Sequence, residues 1–148
     1  MKTLISMLLV LALLCAGIGL AETGSEQEAE AMKLWIGETA VAVAWEDNDA
    51  VRALSAMVAE QPLTIEMSMY GGFEQVGSIG TNLPRSDVQT TTRAGDIALY
   101  AGNQMVVFYG SNSWAYTRLG RVTDKTAGEM AALLSHGDVT ITVAISEE

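Results

Sequence analysis

Leu63-Thr64-Ile65-Glu66-Met67-Ser68-Met69 alternates apolar and polar side chains without a fault, and Tyr70-Gly71-Gly72 turns the chain behind it. A period of two puts successive side chains on opposite faces, so this stretch predicts a half-buried β-strand rather than a helix. The same period recurs on both sides of it and makes the chain mainly β.

Upstream, Pro62 closes a short amphipathic helix. Val51, Leu54, Met57 and Val58 recur at helical spacing, and Asp47-Asn48-Asp49 supplies an N-cap with negative charge in the first turn. Before that helix, Lys33-Leu34-Trp35-Ile36 and the run from Thr39 to Trp45 flank Gly37-Glu38, which predicts a β-hairpin. In its second strand Val41, Val43 and Trp45 share one face and Ala40, Ala42 and Ala44 the other, so both faces are expected to be at least partly buried.

Downstream, Gly77 to Gly95 carries no convincing period and predicts a long structured loop. Asp96 to Tyr100 and Met105 to Tyr109 flank Ala101-Gly102-Asn103-Gln104, and the second of these strands is apolar throughout, so it is expected to cross the core with Phe108 packed inside. Trp114 to Leu119 alternates again, with Trp114, Tyr116 and Arg118 on one face and Ala115, Thr117 and Leu119 on the other. Thr126-Ala127-Gly128-Glu129 fits a capping box that opens a second short helix ending near Gly137. Val139, Ile141, Val143 and Ile145 then mark a last strand, for a total of seven or eight strands and two helices.

The start of the chain reads differently. Lys2, the apolar run from Leu4 to Leu14 and the small residues around Gly19-Leu20-Ala21 predict a secretory signal over residues 1–21. An uncleaved anchor is the competing reading, but the run is diluted by Ser6, Gly17 and Gly19 and falls short of the about 20 apolar residues a span needs. Lipidation at Cys15 is disfavoured by the bulky Leu14 before it. Residues 22–31, with four glutamates and no large apolar side chain, predict a flexible acidic spacer, which leaves residues 32–148 as one β domain. The expected location is extracytoplasmic, secreted or periplasmic, with no stable membrane span once the signal is removed.

Composition narrows the function classes. Cleavage after Ala21 takes away the chain's one cysteine and so excludes disulfides and thiolate chemistry. The 148-residue chain carries a net charge of −10, and its few Lys and Arg are scattered, which argues against nucleic acid as a partner. A single histidine, His136, builds no zinc site and is expected to favour the end of the second helix, while Asp47 with Asp49 lacks the spacing of a calcium loop. The methionines read as core filler rather than as copper ligands. No phosphate-binding glycine loop or serine elbow is present, so no metal or cofactor is implied.

Five segments in order, Trp45 to Ala50, Pro62 to Met67, Asn82-Leu83-Pro84, Ala94 to Tyr100 and Tyr116 to Arg121, resemble the bacterial cyclophilin-like domain family over roughly Met32 to Ile145. The resemblance implies a closed barrel of about eight strands with two short helices over its ends. Cyclophilin enzymes isomerise prolyl bonds with an arginine on an early barrel strand, and by element order that position falls between Leu63 and Phe73, where this chain has neither Arg nor His. The isomerase signature is therefore not carried over, and the fold alone assigns no activity.

What is left is a binding reading. Trp114, Tyr116 and Arg118, with Tyr100 from the paired core strands, are the candidate ligand contacts: rings for stacking and a guanidinium for a carboxylate or carbonyl. The partner expected is a peptide segment or a small molecule. Two other readings stay open, a degenerate peptidyl-prolyl cis-trans isomerase and an envelope-associated structural module whose arginine merely pairs with an acid.

Overall fold

The computed structural model describes residues 32–146, so the expected signal, the cleavage point, Cys15 and the acidic spacer lie outside the described residues. The remainder is mainly β with two helices. Strands β1 (Met32–Ile36) and β2 (Thr39–Val41) form the expected hairpin, with Leu34 opposite Val41. β1 also pairs along its whole length with the last strand, β11 (Thr140–Ile145), and β11 pairs with β4 (Leu63–Glu66). These four strands make the smaller sheet, in the order β2-β1-β11-β4.

The larger sheet runs from β3 (Val43–Trp45) through β10 (Ser113–Val122), β8 (Asp96–Tyr100), β9 (Gln104–Phe108) and β6 (Glu74–Ser78) to β5 (Ser68–Tyr70). β7 (Val88–Thr91) pairs with the first half of β10, so the stretch without sequence period holds a strand after all. Its residues are mostly exposed, which leaves no buried stripe to read.

Two expected single strands are in fact divided. Thr39 to Trp45 breaks at Ala42, whose N–H donates to Asp124 Oδ1 at 3.0 Å and whose carbonyl accepts from the Thr123 N–H at 2.8 Å. Leu63 to Met69 breaks at Met67, whose N–H donates to the Val139 carbonyl at 2.9 Å. At both points the chain leaves the edge of one sheet and enters the edge of the other; these two breaks, with the unexpected β6 and β7, give eleven strand segments among the described residues in place of seven or eight. Glycine makes these approaches close: a Cβ on Gly77 would stand 2.6 Å from the Glu66 carbonyl oxygen, and one on Gly120 would stand 2.7 Å from that of Ala44.

The main core lies between the sheets and includes Leu34, Ile65, Ile97, Leu99, Met105, Val107, Leu119, Ile141 and Val143. Each such side chain contributes about 1.5–3 kcal/mol by leaving water. Helix α1 (Asp49–Glu60) adds Val51, Leu54 and Val58 to it, and α2 (Ala127–Leu134) adds Met130 and Leu134. Asn48 caps α1 by accepting from the Val51 N–H at 2.9 Å, and its Nδ2 donates to the Arg118 carbonyl at 2.8 Å, which fastens the helix start to β10. Arg52 bridges Asp47 and Asp49. Thr126 and Glu129 form the full capping box on α2. Among the described residues no helix is long and apolar enough to cross a membrane.

Three expectations need correction. Ala40, Ala42 and Ala44 are exposed, because only the Val41, Val43 and Trp45 face of β2 and β3 packs on the core. The end of α2 is not capped by His136, which is exposed; the buried Gln75 Nε2 donates to the Leu134 and Gly137 carbonyls at 2.8 and 2.7 Å. Met32, Met67, Met105 and Met130 do fill the core, but Met69 stands exposed on β5.

Candidate functional site

Strands β8 and β9 are apolar on both faces, and only one face meets the main core. Ile97, Leu99, Met105 and Val107 point into it, while Ala98, Val106 and Phe108 form a second buried cluster with Tyr116 on the opposite face of the sheet. Phe108 is therefore packed as expected, but against the site rather than in the main core. Cross-strand register builds this face: Val76 lies opposite Val106, Val106 opposite Ala98, and Glu74 opposite Phe108.

Over this cluster lies a groove of about 810 Å³. Val76 and Val106 line it with the aromatic residues Tyr70, Phe73, Tyr100, Trp114 and Tyr116. Tyr70 and Phe73 flank the Gly71-Gly72 turn and meet edge to face at 6.3 Å. Tyr116 meets Tyr100 at 6.2 Å and Phe108 at 5.5 Å, both edge to face. Its hydroxyl accepts from Asn112 Nδ2 at 2.8 Å, and burial pushes that hydroxyl above the usual phenol range. Tyr116 is only 3% exposed and so forms a wall, whereas Trp114 is 56% exposed and offers its ring to solvent.

Three of the four candidate residues, Tyr100, Trp114 and Tyr116, thus line one groove. Arg118 does not line it. Its guanidinium lies 3.7 Å from Asp96, and its side chain borders a smaller groove of about 480 Å³ that shares only Tyr116 with the first. Strict alternation holds as far as Arg118, which pairs with Ala98 on the Tyr116 face, but its side chain lies beyond Tyr116 along the sheet, toward Asp96.

Sequence reasoning passed over the group with the most unusual setting. Glu74 opens β6 and is 6% exposed, and its Oε2 is buried with no hydrogen-bond partner among the described residues. Burial pushes its carboxyl up to about 7 from an ordinary 4.5. The groove lining contains no Lys, Arg or His to offset the charge. The only hint in the sequence is the position directly behind the turn; burial comes from pairing with β9, which is remote in the chain.

Residues 34–145 match the cyclophilin-like family. The chain belongs to that family. Among solved structures, this cyclophilin-like chain is similar in fold to the solution structure of a hypothetical protein from Archaeoglobus fulgidus, with a TM-score of 0.53 and 15% identity over 78% of this chain and 93% of that one. No curated protein matches its sequence. In this cyclophilin-like domain β4, β5 and the turn behind them carry neither Arg nor His, and the groove on the face away from the core is lined by aromatic rings and one carboxyl group.

Proposed function

We propose that this chain is an exported, non-catalytic binding module that takes a peptide segment or small molecule in the groove walled by Trp114, Tyr100 and Tyr116. The observation that carries this reading is the gathering of exposed Trp114, Tyr70 and Tyr100 around one concave apolar surface. Large aromatic side chains left facing water around a concavity are a pattern that ligand sites use. Arg118, beyond Tyr116 in the neighbouring groove, meets only a ligand long enough to pass that ring.

The scaffold we infer for this site is a single closed barrel. If β2 with β3 and β4 with β5 each count as one bent strand, eight strands follow one another around a ring, and the shared edge strands support that count. Closure removes free edges and holds the groove on a stiff surface. Export rests on Lys2, the apolar run after it and the small residues before Glu22.

A fragment screen followed by amide and indole NMR shifts tests the binding reading. Hits are expected to move the Trp114 indole together with Val76 and Val106, and Trp114→Ala is expected to weaken them about tenfold. Hits that all map elsewhere would end this reading. The enzyme alternative, a degenerate prolyl isomerase, shares the apolar groove; turnover of a proline peptide well above the uncatalysed rate would decide for it.

A further inference from the structure

We propose that the groove recognises a primary ammonium group, from a free alkylamine or a lysine side chain, and that Glu74 is its anchor. This rests on the reading of the groove as a binding site and names the chemistry it selects.

The argument starts from an imbalance. Glu74 is 6% exposed, and among the described residues its Oε2 accepts no hydrogen bond and no cationic side chain lines the groove around it. A buried carboxylate is normally paired, because desolvation costs far more than an isolated charge gains back. An entering ammonium supplies both things that are missing, a positive charge and N–H donors. The walls suit the same guest. Trp114, Tyr100, Tyr116, Tyr70 and Phe73 present ring surface, and a cation near such faces is attracted by their quadrupoles. Val76 and Val106 offer apolar surface to the methylene stem behind the nitrogen.

Competing guests fit less well. A metal ion needs several ligands, and among the described residues no group of three or more His, Cys, Asp or Glu stands together. An anion meets an unpaired carboxyl in a chain of net charge −10. A neutral apolar molecule satisfies the walls but leaves Oε2 without a donor, and a quaternary ammonium has no N–H to give it.

The test uses ¹⁵N-labelled protein and four probes: pentylamine, Nα-acetyl-lysine methylamide, its Nε-acetylated neutral counterpart, and 1-pentanol. The Trp114 indole and the Glu74 amide report binding. Each ammonium probe is expected to bind about tenfold tighter than its neutral counterpart, and Glu74→Gln is expected to reduce that preference to less than about twofold. Binding of pentylamine alone identifies a free amine as the guest, and binding of the lysine derivative alone identifies a peptide side chain; both support the proposal. Equal binding of charged and neutral probes, or a preference that survives Glu74→Gln, overturns the ammonium proposal while the groove stays a binding site. Failure of all four probes to move Trp114 overturns the ammonium proposal, and the fragment screen then decides whether the groove binds at all. A readout that needs no variant is the ¹³C signal of the Glu74 carboxyl in the wild type, whose titration midpoint should move to lower pH when pentylamine saturates the groove. A midpoint that does not move overturns the proposal.

Discussion

The Arg118 guanidinium lies 3.7 Å from the Asp96 carboxylate, and Arg121 holds the same group at 2.8 Å. The Asp96 side chain is 3% exposed and also accepts from the Arg93 N–H at 3.0 Å. Asp96 is thus the fixed centre of this cluster, and Arg118 is the more distant and more exposed of its two cationic partners, with 40% of its side chain in solvent.

The two positions should therefore respond unequally. Arg118→Ala removes a long, solvent-screened contact and is expected to cost no more than about 1 kcal/mol, a fall in Tm of a few degrees. Asp96→Ala leaves the Arg93 N–H without its side-chain acceptor and two guanidinium groups without their common anion, and is expected to cost about 2–4 kcal/mol. Thermal melts of both variants check the ranking. Equal losses would mean that Arg118 is a structural partner after all.

Glu74 gives a pH dependence with a definite sign. Its folded carboxyl titrates near 7 and an unperturbed one near 4.5, so both states are neutral below that window and carry no difference. As pH rises through the window the unfolded chain ionises first, and stability falls by about 2–3 kcal/mol before levelling off above pH 7. Wild type should lose this increment between pH 4.5 and 8, and Glu74→Gln should not; the difference between the two melting profiles isolates it from the other carboxylates. Parallel profiles would show that Glu74 ionises normally.

At Gly77 the expectation is steric. A Cβ there would meet the Glu66 carbonyl oxygen and Ile65 Cγ2 at 2.6 Å and Met67 Sδ at 2.7 Å, and the first of these is backbone that does not swing aside. Gly77→Ala should destabilise by about 1–3 kcal/mol in chemical denaturation, by forcing β6 away from β4. A neutral substitution would mean that the two strands separate without cost.

Export predicts a mass. Protein recovered from outside the cytoplasm should begin near Glu22 and should lack Cys15, so that reductant leaves its Tm unchanged. An intact mass that retains residues 1–21 refutes cleavage.

What was legible in the sequence was local or periodic. Asn48 and Thr126 announce their helices because a cap needs only the next three residues, and Leu63 to Glu66 announces a strand because one face is buried and the other is not. Alternation along β10 also brought Trp114 and Tyr116 together correctly. What it could not show depends on partners far along the chain. Ala42 and Met67 break their strands because of contacts with Thr123, Asp124 and Val139. Arg118 misses the aromatic groove because its side chain lies beyond Tyr116, toward Asp96, and Glu74 becomes buried only when β9 lies beside it.

The pairing of β1 with β11 sets Met32 opposite Ile145, so the first strand of the domain is completed by the last. A chain emerging from the ribosome therefore cannot seat Leu34 or Ile36 between their neighbours until β11 has been made. Contacts of such long separation form late and slowly. The order of synthesis thus works as a timer: the smaller sheet stays open while the rest of the domain is made, and it locks only when β11 arrives between β1 and β4.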